Sequence, residues 1–147
     1  MERTPNYRFA TEKPDHIMLS ISGDARYSMT VTWRMCADIE SGYVEYYEKD
    51  GEKKTVEAIV KPFKSDVNTS NIFFARIENL KPGTRYYYNC GDNINRSEEF
   101  WFDTQEENLT KFSFIAISDH QKDTDHYDPD YSALNKFLKD TLAKHPE

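Results

Sequence analysis

The 147-residue sequence is poor in cysteine, with only Cys36 and Cys90, too few for the disulfide framework that holds small secreted scaffolds together. It has no apolar run approaching the roughly 20 residues of a membrane-spanning helix. Basic side chains are in deficit: 19 Lys and Arg stand against 26 Asp and Glu, so the basic footprint of a nucleic-acid partner is missing. The N-terminus, Met1-Glu-Arg-Thr-Pro-Asn-Tyr-Arg8, lacks the apolar centre of a signal peptide, which leaves a cytoplasmic protein and one whose leader has been removed both open. Helical periodicity is missing from the first hundred residues. What is present is aromatic: 10 Tyr, 9 Phe and 2 Trp, a composition that excludes a disordered chain.

Residues 1–13 are polar and without periodicity, and read as a flexible tail. From there the sequence alternates. Ile17, Leu19 and Ile21 suggest one face of a first strand. Met29, Val31, Trp33 and Met35 alternate with Thr30, Thr32 and Arg34 in the clearest strand of the chain. Val44 and Tyr46 point inward from a third strand over 43–48, and Asp50-Gly51 supplies a turn able to take positive φ. Lys54 to Val60 reads as one polar strand bounded by Pro62, hence an edge. Phe73, Ala75 and Ile77 form the next strand. Tyr86, Tyr88 and Cys90 alternate beyond the corner Leu80-Lys-Pro-Gly-Thr-Arg-Tyr86. Phe100 and Phe102, with Trp101 on the other side, close the set. Seven short strands with a turn about every ten residues predict a β-sandwich over 14–106.

A core Trp33 followed by Leu80, Pro82, Gly83 and Tyr86 in the spacing Leu-x-Pro-Gly-Thr-x-Tyr resembles a fibronectin type III or immunoglobulin-like sandwich. In that fold Trp33, Leu80 and Tyr86 serve the core and Pro82-Gly83 the turn, with the Tyr86 hydroxyl returning to nearby backbone. A longer series resembles the start of a purple acid phosphatase. It comprises Pro14-Asp-His-Ile-Met-Leu-Ser-Ile21, Met29-Thr-Val-Thr-Trp33, Leu80 to Tyr88, Phe100-Trp-Phe-Asp-Thr104 and Phe112-Ser-Phe-Ile-Ala-Ile-Ser-Asp119. The resemblance implies a fibronectin-like N-terminal domain joined to a calcineurin-like α/β metallophosphoesterase domain. That domain uses two metal ions, Fe with Fe, Zn or Mn, to hydrolyse phosphate esters. The resemblance also implies a secreted or periplasmic location and, as partner, the chain's own C-terminal catalytic domain.

Residues 107–147 are expected to be the truncated start of that second domain: an apolar strand over 112–117, a polar loop, and a helix with apolar face Leu134, Phe137, Leu138 and Leu142 that stops at His145-Pro146. One strand–helix unit cannot bury both faces of its strand, so it is expected to begin a larger sheet and to be catalytically incomplete, with no stably bound metal. The resemblance makes Asp119, at the end of the strand, the first metal ligand; the competing reading is an Asp capping a turn. The sequence departs from the family pattern, with Ser118 before the Asp and Gln121 where many phosphoesterases have His. His120 is the second candidate ligand. On an extended segment it points away from Asp119, so it shares a metal only from a loop. The run Asp123, Asp125, His126, Asp128 and Asp130 fails as a calcium loop, with Asp128 where Gly is needed and Leu134 where Glu is needed. It reads as a solvated acidic loop.

Cys36 and Cys90 lie near the ends of their strands, at one pole. A disulfide is within reach of the topology, but alternation points Cys90 inward and Cys36 outward, which favours free thiols. Tyr47, Tyr87 and Trp101 should align on the outer face of one sheet, an unusual stripe for a solvated surface, and are expected to form a face that docks on the catalytic domain. The rival to the phosphoesterase reading is a non-catalytic fibronectin-like binding module for protein or glycan.

Overall fold

In the computed structural model of the chain, residues 9–65, 68–117 and 131–144 are described. They fall into two units that divide between Leu109 and Thr110.

The first unit is built from eight strands: β1 (Asp15–Ser20), β2 (Met29–Cys36), β3 (Tyr43–Glu48), β4 (Lys54–Glu57), β5 (Ile59–Lys64), β6 (Thr69–Ile77), β7 (Arg85–Gly91) and β8 (Phe100–Asp103). They pair into two antiparallel sheets, one in the order β1-β2-β6-β5 and the other β4-β3-β7-β8. The first is the four-stranded sheet of a constant-type immunoglobulin-like sandwich; the second is the three-stranded partner sheet with one added edge strand.

The alternating residues of the middle strands make the core. Met29, Val31, Trp33 and Met35 of β2 meet Phe73, Ala75 and Ile77 of β6, and across the sandwich Val44, Tyr46, Tyr86, Tyr88, Cys90 and Phe102 come from the other sheet. Trp33 lies directly opposite Phe73 in the ladder, and their rings stack at 5.1 Å. Each is fully buried, and burial of such a side chain contributes about 2–3 kcal/mol. The indole N–H of Trp33 finds no partner among the described residues, so part of that gain is offset. Asn71, also buried, donates from its amide to Ala37 O and Ile39 O at 3.1 and 3.0 Å, tying down the β2–β3 connection.

The structure corrects three expectations of the alternation pattern. The stretch expected as one strand over 54–60 is two strands in different sheets: β4 pairs with β3, β5 with β6. The chain changes sheets at Ala58, whose amide bonds Gly42 O at 2.8 Å. Pro62 therefore does not bound a strand but sits within β5, where an edge position leaves its missing N–H harmless. In β1 only Ile17 packs on the core; Leu19 and Ile21 are exposed. The β1–β2 register shifts between Asp15 and Met18, and His16 takes φ 49°, so the strand loses its simple alternation at the sheet edge.

In the second unit the expected strand over 112–117 is not formed. A strand exists only by pairing, and no described strand pairs with this segment. Phe112 and Phe114 are 73% and 79% exposed and stack on each other at 6.2 Å. The helix α1 (Ser132–Lys144) is present. Leu134 and Leu138 of its apolar stripe are half-buried, while Phe137 and Leu142 remain exposed. Lys136 and Asp140 form an i, i+4 ion pair at 2.7 Å. Its expected stop at His145-Pro146 lies outside the described residues.

Candidate functional site

Asp119 and His120, the candidate metal ligands, lie outside the described residues, as does the acidic run 123–130. Among the described residues no three His, Cys, Asp or Glu side chains converge as a metal site would require. Both cysteines are free thiols, Cys90 buried and Cys36 half-buried.

The corner is a different matter. Leu80 and Tyr86 are buried, and the Tyr86 hydroxyl accepts the Lys81 amide at 3.0 Å. Pro82 is half-buried and Gly83 exposed at φ 58°, so these two shape the turn while Trp33, Leu80 and Tyr86 occupy the core. Thr104, which sequence reasoning did not single out, completes the lock. Its buried hydroxyl donates to Lys81 O at 2.6 Å and accepts the Thr84 amide at 2.9 Å. Nothing in the alternation marks it, because its role depends on a turn twenty residues away.

The register of β3, β7 and β8 sets Tyr47 opposite Tyr87, and Tyr87 opposite Trp101, a row of three aromatics on the outer face of their sheet. The Tyr47 and Tyr87 rings stack at 5.7 Å. Trp101 is 54% exposed. The Arg85 guanidinium lies 3.9 Å from the Trp101 ring centroid and forks onto Asp103 with two bonds of 2.8 Å. At the other end Lys53 sits over Tyr47 at 5.6 Å and pairs with Glu45 at 2.8 Å. The Tyr47 hydroxyl donates to Glu99, which pushes that hydroxyl's pKa up, and Arg85 holds the Asp103 carboxyl below the usual range. The row is therefore apolar at its centre, with each flanking cation already matched to a carboxylate.

A second exposed row went unnoticed in the sequence. Met18, Thr32, Phe74 and Ile59 stand in register across the outer face of the other sheet, with Met18 64% and Ile59 66% exposed. No sequence signal finds it, because Ile59 belongs to the strand that changes sheets.

A two-sheet sandwich of this strand order, closed by a tyrosine-bonded corner, defines an immunoglobulin-like β-sandwich module. Residues 14–104 match the family Purple acid Phosphatase, N-terminal domain, and the chain belongs to that family. The structure of purple acid phosphatase PPD1 isolated from yellow lupin (Lupinus luteus) seeds is similar over 64% of this chain, with a TM-score of 0.55 and 22% identity. At that identity the likeness is one of fold. The match spans 20% of the lupin chain. The sensor domain of the anti-sigma factor RsgI4 in Pseudobacteroides cellulosolvens covers 78% of this chain and 95% of its own, at 13% identity. Its TM-score is 0.40. No curated protein sequence matches the chain.

Proposed function

We propose that this chain is the N-terminal accessory part of a metal-dependent phosphoesterase that hydrolyses phosphate esters, as purple acid phosphatases do. The family match over residues 14–104 carries the reading. A two-metal centre in such an enzyme activates water and polarises the phosphoryl oxygens. The described residues of this chain do not fit such a centre, since no metal-capable cluster exists among them. Asp119 is proposed as one ligand and His120 as a weaker candidate, with the remaining ligands contributed by a catalytic domain outside these 147 residues.

The row Tyr47, Tyr87 and Trp101 is assigned to packing against that domain. Its composition supports this: Trp, Tyr and Arg are the residue types that anchor interfaces. The same exposed row also favours a second reading, a stand-alone binding module.

The gene itself discriminates. An αβ loop of a few residues and one short strand after α1 would put Gly-Asp-x-x-Tyr within about fifteen residues of Glu147, followed later by Gly-Asn-His. Their absence favours the module. In an assay, the 147-residue chain supplied with Mn²⁺, Zn²⁺ or Fe should hydrolyse no phosphate ester, whereas the longer protein should do so and lose activity in Asp119→Ala. Robust turnover by the short chain, abolished by Asp119→Ala, overturns the accessory reading.

A further inference from the structure

The segment after β8 leaves the sandwich through a knot of side chains that the functional reading does not use. Gln105 donates its amide to Ala25 O at 3.0 Å, and its carbonyl accepts the Gly83 amide at 3.0 Å. The chain is thus held between the β1–β2 loop on one side and the corner turn on the other. Two residues later Glu107 reaches back to the β1–β2 loop. One carboxylate oxygen accepts the Tyr27 hydroxyl at 2.8 Å and the other accepts Arg26 Nη1 at 3.3 Å.

Arg26 is not a wandering surface cation. Asp24 receives its Nε at 3.0 Å and its Nη2 at 2.7 Å, and also its backbone amide at 3.0 Å. The Asp24 carbonyl in turn accepts the amides of Tyr27 and Ser28 at 3.0 and 2.9 Å. A closed turn therefore presents both Arg26 and Tyr27 to Glu107. Protonation reflects the same contacts: Arg26 holds the Asp24 carboxyl well below the usual range, and Glu107 pushes the Tyr27 hydroxyl up.

We infer that Arg26, Tyr27 and Glu107 form a latch that fixes the point at which the chain leaves the sandwich. With the latch closed, the segment is tied back to the β1–β2 loop as far as the Glu107 side chain. With it open, the hold on the segment falls back to the Gln105 bonds, which then break more often, and the tether to whatever follows lengthens by two residues, about 7 Å. Exposed ion pairs are individually weak and screened by salt, so the latch opens far more readily than the sandwich unfolds. It acts as a local switch on tether length and leaves the fold intact. This inference needs neither a metal nor a phosphatase.

Amide hydrogen exchange on the 147-residue chain tests it, with the Gln105 amide as reporter and the Trp33 and Phe73 amides as controls in the central ladder. Glu107→Ala should speed exchange at Gln105 roughly three- to tenfold, the range expected when a small exposed network is lost, and leave Trp33 and Phe73 unchanged. Tyr27→Phe should give a smaller acceleration alone and none in the Glu107→Ala background, and 1 M NaCl (screening length of about 3 Å) should move the unmutated chain toward the variant. Unchanged exchange at Gln105 in Glu107→Ala refutes the latch. Equal acceleration at Gln105, Trp33 and Phe73 also refutes it, because the variant would then have weakened the whole sandwich.

Discussion

Gly91→Ala is the substitution on which the structure makes its sharpest quantitative demand. Gly91 ends β7 at φ 139°, a conformation that side chains rarely adopt. A Cβ there would lie 2.0 Å from the backbone oxygen of Asn95. A backbone atom cannot swing aside as a side chain would, so the β7–β8 loop must shift. That shift breaks the Asp92 amide to Asn95 O bond of 3.1 Å and the Arg96 bond to Gly91 O at 3.3 Å. Strain of about 1–3 kcal/mol and two lost hydrogen bonds at about 1 kcal/mol each sum to roughly 3–5 kcal/mol. For a domain of this size each kcal/mol lowers Tm by about 4–8 °C, so calorimetry should show Tm falling by at least about 12 °C. Gly83→Ala is the control. Gly83 also has positive φ, 58°, but an added Cβ meets nothing closer than Glu106 Cγ at 3.5 Å. Its cost is the conformational penalty alone, about 1 kcal/mol. If the two variants lose the same few degrees, the steric argument for Gly91 is wrong.

Three further outcomes follow from named contacts. Tyr86→Phe removes the acceptor of the Lys81 amide and should cost about 1 kcal/mol in urea unfolding; an unchanged midpoint would show that the corner does not depend on this bond. Burial raises the Asp15 carboxyl, but hydrogen bonds from Arg34 at 2.8 and 2.7 Å and from His16 outweigh it, so its folded pKa lies below the ordinary value. The unfolded chain then binds the proton first. The stability from this group is present above about pH 4 and lost as pH falls through the folded value. Asp15→Asn should flatten the decline of the urea midpoint with acid, and a slope equal to that of the unmutated chain would contradict this. Finally, burial pushes the Cys90 thiol up to about 11. A thiol reagent at pH 8 should therefore titrate one cysteine, Cys36, in the native chain and both in urea. Equal native reactivity of the two would refute the placement of Cys90.

The strands legible in the sequence are those with one face fully covered. In β2 and β7 each inward residue is apolar and buried, and in β6 Phe73, Ala75 and Ile77 are too, beside the buried polar Asn71, so period two places these strands. The same rule fails where the chain changes sheets. Residues 54–60 alternate well enough to look continuous, yet a single residue, Ala58, carries the chain from β4 to β5. Alternation also says which residues share a face but not how far the opposing sheet extends, which is why Leu19 and Ile21, grouped with Ile17 on one face, are exposed while Ile17 packs on the core. The apolar run 112–117 has a strand's composition but no described partner. Pairing is a property of two segments and cannot be read from one. At the candidate face, Tyr47, Tyr87 and Trp101 follow from alternation once three strands are placed. The pairing of Arg85 with Asp103 and of Lys53 with Glu45 needed the register.

The edges and faces of the sandwich point to the kind of contact it can make. Unpaired edges invite further strands unless they are blunted. Here β4 and β8 are four residues long, β5 carries Lys61, Pro62 and Lys64, and β1 has a shifted register. Growth by edge pairing is therefore disfavoured, and contacts must be made through a face or through the exit at Glu107. These two routes differ in their electrostatics. On the Tyr47, Tyr87 and Trp101 face, Lys53 and Arg85 are satisfied within the domain, so packing there would need no charge from a partner and should depend little on salt. The latch is made of exposed charges and should weaken as salt rises. Under the accessory-domain proposal, ionic strength would then loosen the tether without releasing the docked face, and a salt series separates the two: latch exchange changes while aromatic protection does not.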